Sequence, residues 1–162
     1  MTVRIVVGVD GSDASRHALE FAMQAATRRG GRLIQAVYAW APMVYWGGLE
    51  YGAGPALSRD EIEQDAYAVL DQVLAGVEVP DDLRLERIVV EGPAATALLT
   101  VAEGADLLVV GSRGRGGFAG LLLGSTSQQV TSHAHCPVLV VPPGVTATSK
   151  DDVGAGDGEV PV

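Results

Sequence analysis

Between Gly111 and Ser127 the chain reads GSRGRGGFAGLLLGSTS. The stretch follows the apolar run Leu107-Leu108-Val109-Val110, which has the length and bulk of a buried strand. It leads into Ser125 to His133, a segment able to form a helix. A strand that runs into a glycine-rich loop and then a helix start is a common way to hold phosphates. Glycines let the backbone approach an anion and reach φ > 0. The helix start adds N–H groups with no intrahelical partner and the positive end of a dipole. Arg113 and Arg115 add charge in an otherwise acidic chain.

That acidity limits the partners. The net charge is −9 over 162 residues. General nucleic-acid binding needs basic surface, so no nucleic-acid partner is expected. A phosphate site must be locally positive, which backbone N–H groups and the two arginines can supply. With 48% hydrophobic residues the chain is long enough for one domain with its own core. Its single cysteine excludes an intramolecular disulfide. The apolar run within MTVRIVVGVDGS is too short for a signal segment or a membrane span, and Asp10 interrupts it. No later run reaches spanning length, so a soluble cytoplasmic protein is expected.

Val3 to Val9 is a compact β-branched run and reads as a buried parallel strand. It ends in Gly8-Val9-Asp10-Gly11-Ser12, where Ser12 or Asp13 can cap a helix. Asp10 needs no function if it only turns the chain. Ser15 to Arg29 is helical by the spacing of Ala18, Phe21, Ala22 and Ala25, and Gly30-Gly31 stops it. His17 on this helix is expected at the surface. Arg32 to Ala39 is a second strand, with Leu33, Ile34, Ala36 and Val37 as its apolar members. Trp40 to Leu57 holds both tryptophans and reads as a long loop. A loop of that length is functional or mobile more often than a plain connection.

Ser58-Arg59-Asp60-Glu61 has the form of a capping box and opens a helix to Ala75. Leu83 to Val90 mixes apolar residues with Arg84, Glu86 and Arg87, which suggests an edge strand. Gly92-Pro93 opens a helix from Ala94 to Glu103 that buries Leu98, Leu99 and Ala102. The strand Leu107 to Val110, the glycine loop, a helix Ser125 to Ala134 and a strand Pro137 to Val141 follow. Five strands alternating with four helices make an α/β doubly wound pattern with a parallel sheet. His133, His135 and Cys136 lie close together, but a structural zinc site wants four ligands, often in spaced pairs, and no second cluster exists. The domain is expected over residues 1–144. Residues 145–162, rich in Gly, Asp, Thr and Ser, read as a disordered acidic tail.

Gly111, Gly114, Gly124 and Ser125 fit the pattern G-x-x-G-x9-G-[ST]. Together with the first strand ending in Gly8-Val9-Asp10, this pattern resembles the ATP-binding branch of the universal stress protein family. The resemblance runs from Val3 to about Pro142. It implies an open five-stranded parallel sheet of order 3-2-1-4-5, adenine nucleotide alpha hydrolase-like, with helices on both faces. In that order the first and fourth strands are neighbours whose connections leave in opposite directions. Ligands in open sheets bind just beyond such strand ends, which here are Gly8, Val9 and Asp10 on one strand and Val110 and Gly111 on the other. The resemblance further implies that Gly8, Asp10 and Val37 lie on the nucleoside side of a nucleotide. HAHCPVLVV resembles the family's ending, in which the last strand pairs across a dimer, so a homodimer through Pro137 to Val141 is implied.

The expected ligand is ATP, accompanied by Mg²⁺ held mostly by phosphate oxygens and water. Backbone N–H groups of Gly111, Ser112, Arg113, Gly114, Arg115, Gly116 and Gly117 would wrap the phosphates, and Gly124, Ser125, Thr126 and Ser127 would donate from a helix start. ADP, AMP or a cyclic nucleotide could use the same loop. There is no GxxxxGK[ST], and VDGSD rather than GxGxxG follows the first strand, so neither the Walker loop nor the dinucleotide fingerprint is present. The leading expectation is an ATP-binding regulatory homodimer of the stress-response type. A slow ATPase or phosphotransferase would use the same pocket, but no lysine-and-carboxylate set of the usual kind is recognisable. A nucleotide-free interaction module is the third reading; the family's sister branch lacks the spaced glycines that this chain retains.

Overall fold

A computed structural model describes residues 3–30, 33–40, 58–114 and 122–145. Strands and helices alternate through them: β1 (Arg4–Gly8), α1 (Asp13–Arg29), β2 (Leu33–Trp40), α2 (Arg59–Leu74), β3 (Arg84–Glu91), α3 (Ala94–Val101), β4 (Leu107–Gly111), α4 (Ser125–His133) and β5 (Val138–Val141). The sheet is parallel throughout, in the order β3-β2-β1-β4-β5. This is the order that the resemblance implied.

The central strands are apolar along their whole length because both of their faces are covered. In β1, Ile5 and Val7 point to one face and Val6 to the other, and all three are fully buried. In β4, Leu107 and Val109 share the first face while Leu108 and Val110 share the second. Ala18, Leu19, Ala22, Met23 and Ala26 of α1, with Leu70 and Val73 of α2, close the first core. Ala95 and Leu98 of α3, with Val130 of α4, close the second. Helices therefore cover both faces. None among the described residues is long and apolar enough to cross a membrane.

Local signals set the helix ends. Ser12 caps α1 through its side chain, and Gly30 closes it in the left-handed region at φ 66°. Ser58 and Glu61 form the expected capping box on α2. Hydrogen bonds from the Ser58 backbone and hydroxyl hold the Glu61 carboxyl below its ordinary value. At the other end of the sheet Arg4 ties down α3. Its guanidinium donates to the Val101 carbonyl at 3.0 Å, to the Glu103 carbonyl, and to Gln35 Oε1 at 2.8 Å. A cation at a helix C-terminus complements the dipole. The start of α3 is thereby kept at the opposite end, beside the C-terminal ends of the strands.

Three details differ from expectation. The buried face of α1 is wider than expected: Ala18 and Ala22 are fully buried as expected and Phe21 and Ala25 pack against the core, but Leu19, Met23 and Ala26 are buried as well. His17 is not a plain surface residue, since its Nδ1 is buried without a hydrogen-bond partner among the described residues. Trp40 belongs to β2 rather than to the following loop, because it pairs with Glu91 and is 8% exposed. The rest of that loop, 41–57, and nearly all of the acidic tail, 146–162, lie outside the described residues.

Leu108 packs at the centre of the second core with no exposed surface. Leu108→Ala should destabilise the domain by about 2–5 kcal/mol. Urea unfolding should show a lower midpoint with an unchanged slope.

Candidate functional site

A cavity of about 430 Å³ opens at the C-terminal ends of β1, β2 and β4. That is large enough for a small organic ligand. One wall is apolar and is built by Val37 and Ala39 of β2, Leu98 of α3 and Val110 of β4. The other is polar. It carries Asp10 and Ser12 from the β1–α1 turn, Arg113 and Gly114 after β4, and Gly124 to Ser127 at the start of α4. Such a cavity suits a ligand with a flat apolar part at one end and an anion at the other.

Two distant segments meet on the polar wall. Asp10 Oδ1 accepts hydrogen bonds from the Ser12 backbone N–H at 2.9 Å and from the Ser12 hydroxyl. A Cβ placed on Gly114 would come within 2.5 Å of Asp10 Oδ2. A side chain at Gly114 would force the Asp10 carboxylate to shift. Gly111 serves a similar end, since a Cβ there would press on Ala14 at 3.1 Å. Its absence lets the first turn of α1 sit against the end of β4.

The loop after β4 is braced from beneath. The Ser127 hydroxyl, 2% exposed, donates to the Ser112 carbonyl at 2.8 Å and to the Gly124 carbonyl at 2.9 Å. The Ser112 carbonyl also accepts from the Gly124 N–H at 2.7 Å, and the Ser112 N–H donates to Val141 in β5 at 2.8 Å. These bonds fix where α4 begins. Its N-cap is Gly124, so no side chain caps it. The first N–H groups of a helix lack intrahelical partners, and here Ser125 and Thr126 stand on the cavity wall. By contrast α1 is capped by Ser12 and carries Asp13 in its first turn. The start of α4 is the better anion site of the two.

Of the residues selected from the sequence, Gly8, Val9, Asp10, Val37, Val110, Gly111, Arg113, Gly114, Gly124, Ser125, Thr126 and Ser127 line this cavity. Ser112 does not line it. It is 4% exposed, and its hydroxyl is buried without a partner among the described residues, so it contributes through its backbone to the brace. Arg115, Gly116 and Gly117 lie outside the described residues. Ser12, Ser15, Ala39, Ala94, Leu98 and Leu123 also line the cavity and were not selected. Ala39 was within reach of the sequence, since it lies two residues beyond Val37 on the same face of a strand. Leu98 reads as helix core, and it is core and cavity wall at once. Elsewhere, His133 Nδ1 lies 2.9 Å from the Gln129 carbonyl, and burial pushes the Cys136 thiol up from its ordinary value.

Residues 1–142 match the model of the universal stress protein family. A universal stress protein of Mycolicibacterium smegmatis is 39% identical over 142 residues, which cover 86% of this chain and 45% of the relative. One of Mycobacterium tuberculosis is 40% identical over 137 residues, covering 84% and 44%. The chain thus spans about half the length of the curated relatives it matches. Among solved structures, a universal stress protein in complex with cAMP aligns with a TM-score of 0.61 at 29% identity, covering 86% of this chain and 96% of the other. Universal stress protein UspA from Lactobacillus plantarum aligns with a TM-score of 0.64 at 26% identity, covering 86% and 97%.

The brace under the loop is open to test. Ser127→Ala removes a buried hydroxyl that bonds two carbonyls. It should cost about 1–2 kcal/mol in urea unfolding. Hydrogen exchange at Gly124, whose N–H bonds the Ser112 carbonyl, should quicken relative to the strands.

Proposed function

The chain belongs to the universal stress protein family, and from that premise we propose that it binds an adenine nucleotide, ATP foremost, in the cavity beyond β1 and β4, and acts in the cytoplasm as a nucleotide-dependent regulatory homodimer. In this reading the base lies against Val37, Ala39, Leu98 and Val110, with Gly8, Val9 and Asp10 beneath the nucleoside. The phosphates lie along Gly111 to Gly114 and, beyond them, Arg115, Gly116 and Gly117. They end at the open start of α4, where Gly124, Ser125 and Thr126 offer amides and hydroxyls. Ser127 holds that start in place. Mg²⁺ would enter with the nucleotide, on phosphate oxygens and water.

The observation that carries the reading is the meeting of Asp10 with Gly114 beside an uncapped helix start. A solved relative that binds cAMP supports the adenine class of ligand. The test is calorimetry of nucleotide-stripped protein with ATP and Mg²⁺. Saturable binding is expected. Gly114→Val, whose side chain would collide with Asp10, should weaken it by about tenfold or more, a loss of about 1.4 kcal/mol. Absence of binding, or full affinity in the folded variant, would sink the proposal.

The homodimer is supported by the contrast between the two sheet edges. The β3 edge carries Arg84, Glu86 and Arg87, the charges by which edges avoid pairing. The β5 edge carries only Val138, Leu139, Val140 and Val141, and the first three are half-buried. Pro137 and Val141 direct their carbonyls toward β4. By strand alternation Val138 and Val140 direct their backbone groups outward. Val140→Pro removes one outward donor at an edge position where proline is tolerated. Light scattering should show a dimer for the wild type and a monomer for this variant, with circular dichroism unchanged.

A further inference from the structure

We propose that the outer side of α4 is an interaction surface for a second copy of this chain, where Gln128 and Thr131 meet their own counterparts across a two-fold axis. The inference rests on the homodimer reading above and names the surface which that dimer needs besides β5.

The argument begins with area. β5 has four residues, so its edge is only about 13 Å long. Stable interfaces bury about 1,200 Å² or more. A pair of four-residue strands falls well short of that. A dimer built on β5 must therefore cover further surface beside it. On the second face of the sheet that surface is α4. Val130 and Ala134 pack in the same core as Val138 and Val140, and the part of these two valines left open borders the helix.

Helix geometry says which side chains are offered. Ser127 and Val130 are buried beneath α4, and Thr126 stands on the cavity wall, toward α3. At about 100° per residue, Gln129 and His133 share the Thr126 side. Gln128 and Thr131 fall on the other side, above the outer edge of β5, and both are exposed. Antiparallel pairing of β5 with a second copy about a two-fold axis keeps the same sheet face upward in both copies. It therefore sets the two α4 helices next to each other, outer side to outer side.

The chemistry of that side suits self-association. Two copies of a chain with net charge −9 repel, and they approach closely only where acid is absent. From Gly116 to Ser149 the sequence holds no Asp, Glu, Lys or Arg, although these make up 19% of the chain. By contrast α2 carries Asp60, Glu61, Glu63, Asp65 and Asp71. Interface centres are poor in charge. The hydroxyls of α4 are also bonded internally. Thr131 donates to the Ser127 carbonyl, and Ser132 donates to the Gln128 carbonyl at 2.9 Å. Hydroxyls that already have a partner lose little when water leaves.

The experiment uses the full chain at pH 7 and sedimentation equilibrium, which reads the dimer dissociation constant. Gln128→Glu and Thr131→Asp each set a charge against its own copy and should weaken the dimer by about tenfold or more. Gln129→Glu adds the same charge on the far side of the helix and should weaken it by less than about threefold, because the charges are then more widely spaced and screened. Circular dichroism should be unchanged in all three. A dimer that tolerates both Gln128→Glu and Thr131→Asp overturns the α4 surface, as does a loss in Gln129→Glu equal to theirs. If Thr131→Asp does not fold, Gln128→Glu decides alone, since it keeps the shape of the side chain it replaces. A monomeric wild type overturns the homodimer itself, whereas a dimer broken by Val140→Pro but not by these charges overturns only the α4 surface.

Discussion

Hydrogen bonding between β1 and β4, in the register Ile5 to Leu107, Val6 to Leu108 and Val7 to Val109, brings together segments that lie a hundred residues apart in sequence. From β1 the chain passes through α1 to β2 on one side. From β4 it passes through α4 to β5 on the other. Two connections that part in this way leave a crevice at the strand ends. The rest of the site depends on that parting. If β1 and β4 were not neighbours, Asp10 and Gly114 would have no reason to touch.

The two cores make the crevice rigid from below. Each face of the central strands is packed by its own helices, so the strand ends cannot twist independently of α1 and α3. Arg4 holds the C-terminal end of α3 at the base of the sheet. Ala94 and Leu98 then stand at the cavity. Ser127 and the Ser112 carbonyl fix the start of α4 in the same manner. The backbone of the polar wall is thus held in place by the buried Ser127 hydroxyl and by the Ser112 backbone. Ser112 lies within the glycine stretch and braces it through its backbone alone.

Much of this was legible in the sequence where one physical demand acts alone. Ile5 to Val7 and Leu107 to Val110 had to be apolar on both faces, which leaves an unbroken run that reads as a buried strand. Ser58 and Glu61 announced a helix start because the capping box is a local exchange of hydrogen bonds. Gly111, Gly114, Gly124 and Ser125 stood out because they fit the spaced pattern G-x-x-G-x9-G-[ST], and at Gly111 and Gly114 a side chain would press on a neighbour. Legibility failed where a residue answers two demands or where composition misleads. The alanine-rich α1 offers several nearly equivalent apolar faces, and Leu19 and Met23 were not read as part of the buried one. Trp40 read as loop because an aromatic, glycine-rich stretch follows it, yet β3 extends far enough to pair with it. His17 and Ser112 are polar residues with buried side-chain atoms that lack partners among the described residues. No sequence pattern predicts that.

The central claim is that the β1 end and the glycine loop grip one ligand together. Amide chemical-shift mapping of isotope-labelled protein during titration with an adenine nucleotide tests it most directly. The account predicts that the largest shifts fall jointly on Gly8 to Ser12 and on Gly111 to Ser127, saturating at one common ligand concentration. Shifts confined to one of these segments, or centred elsewhere on the sheet, would contradict it.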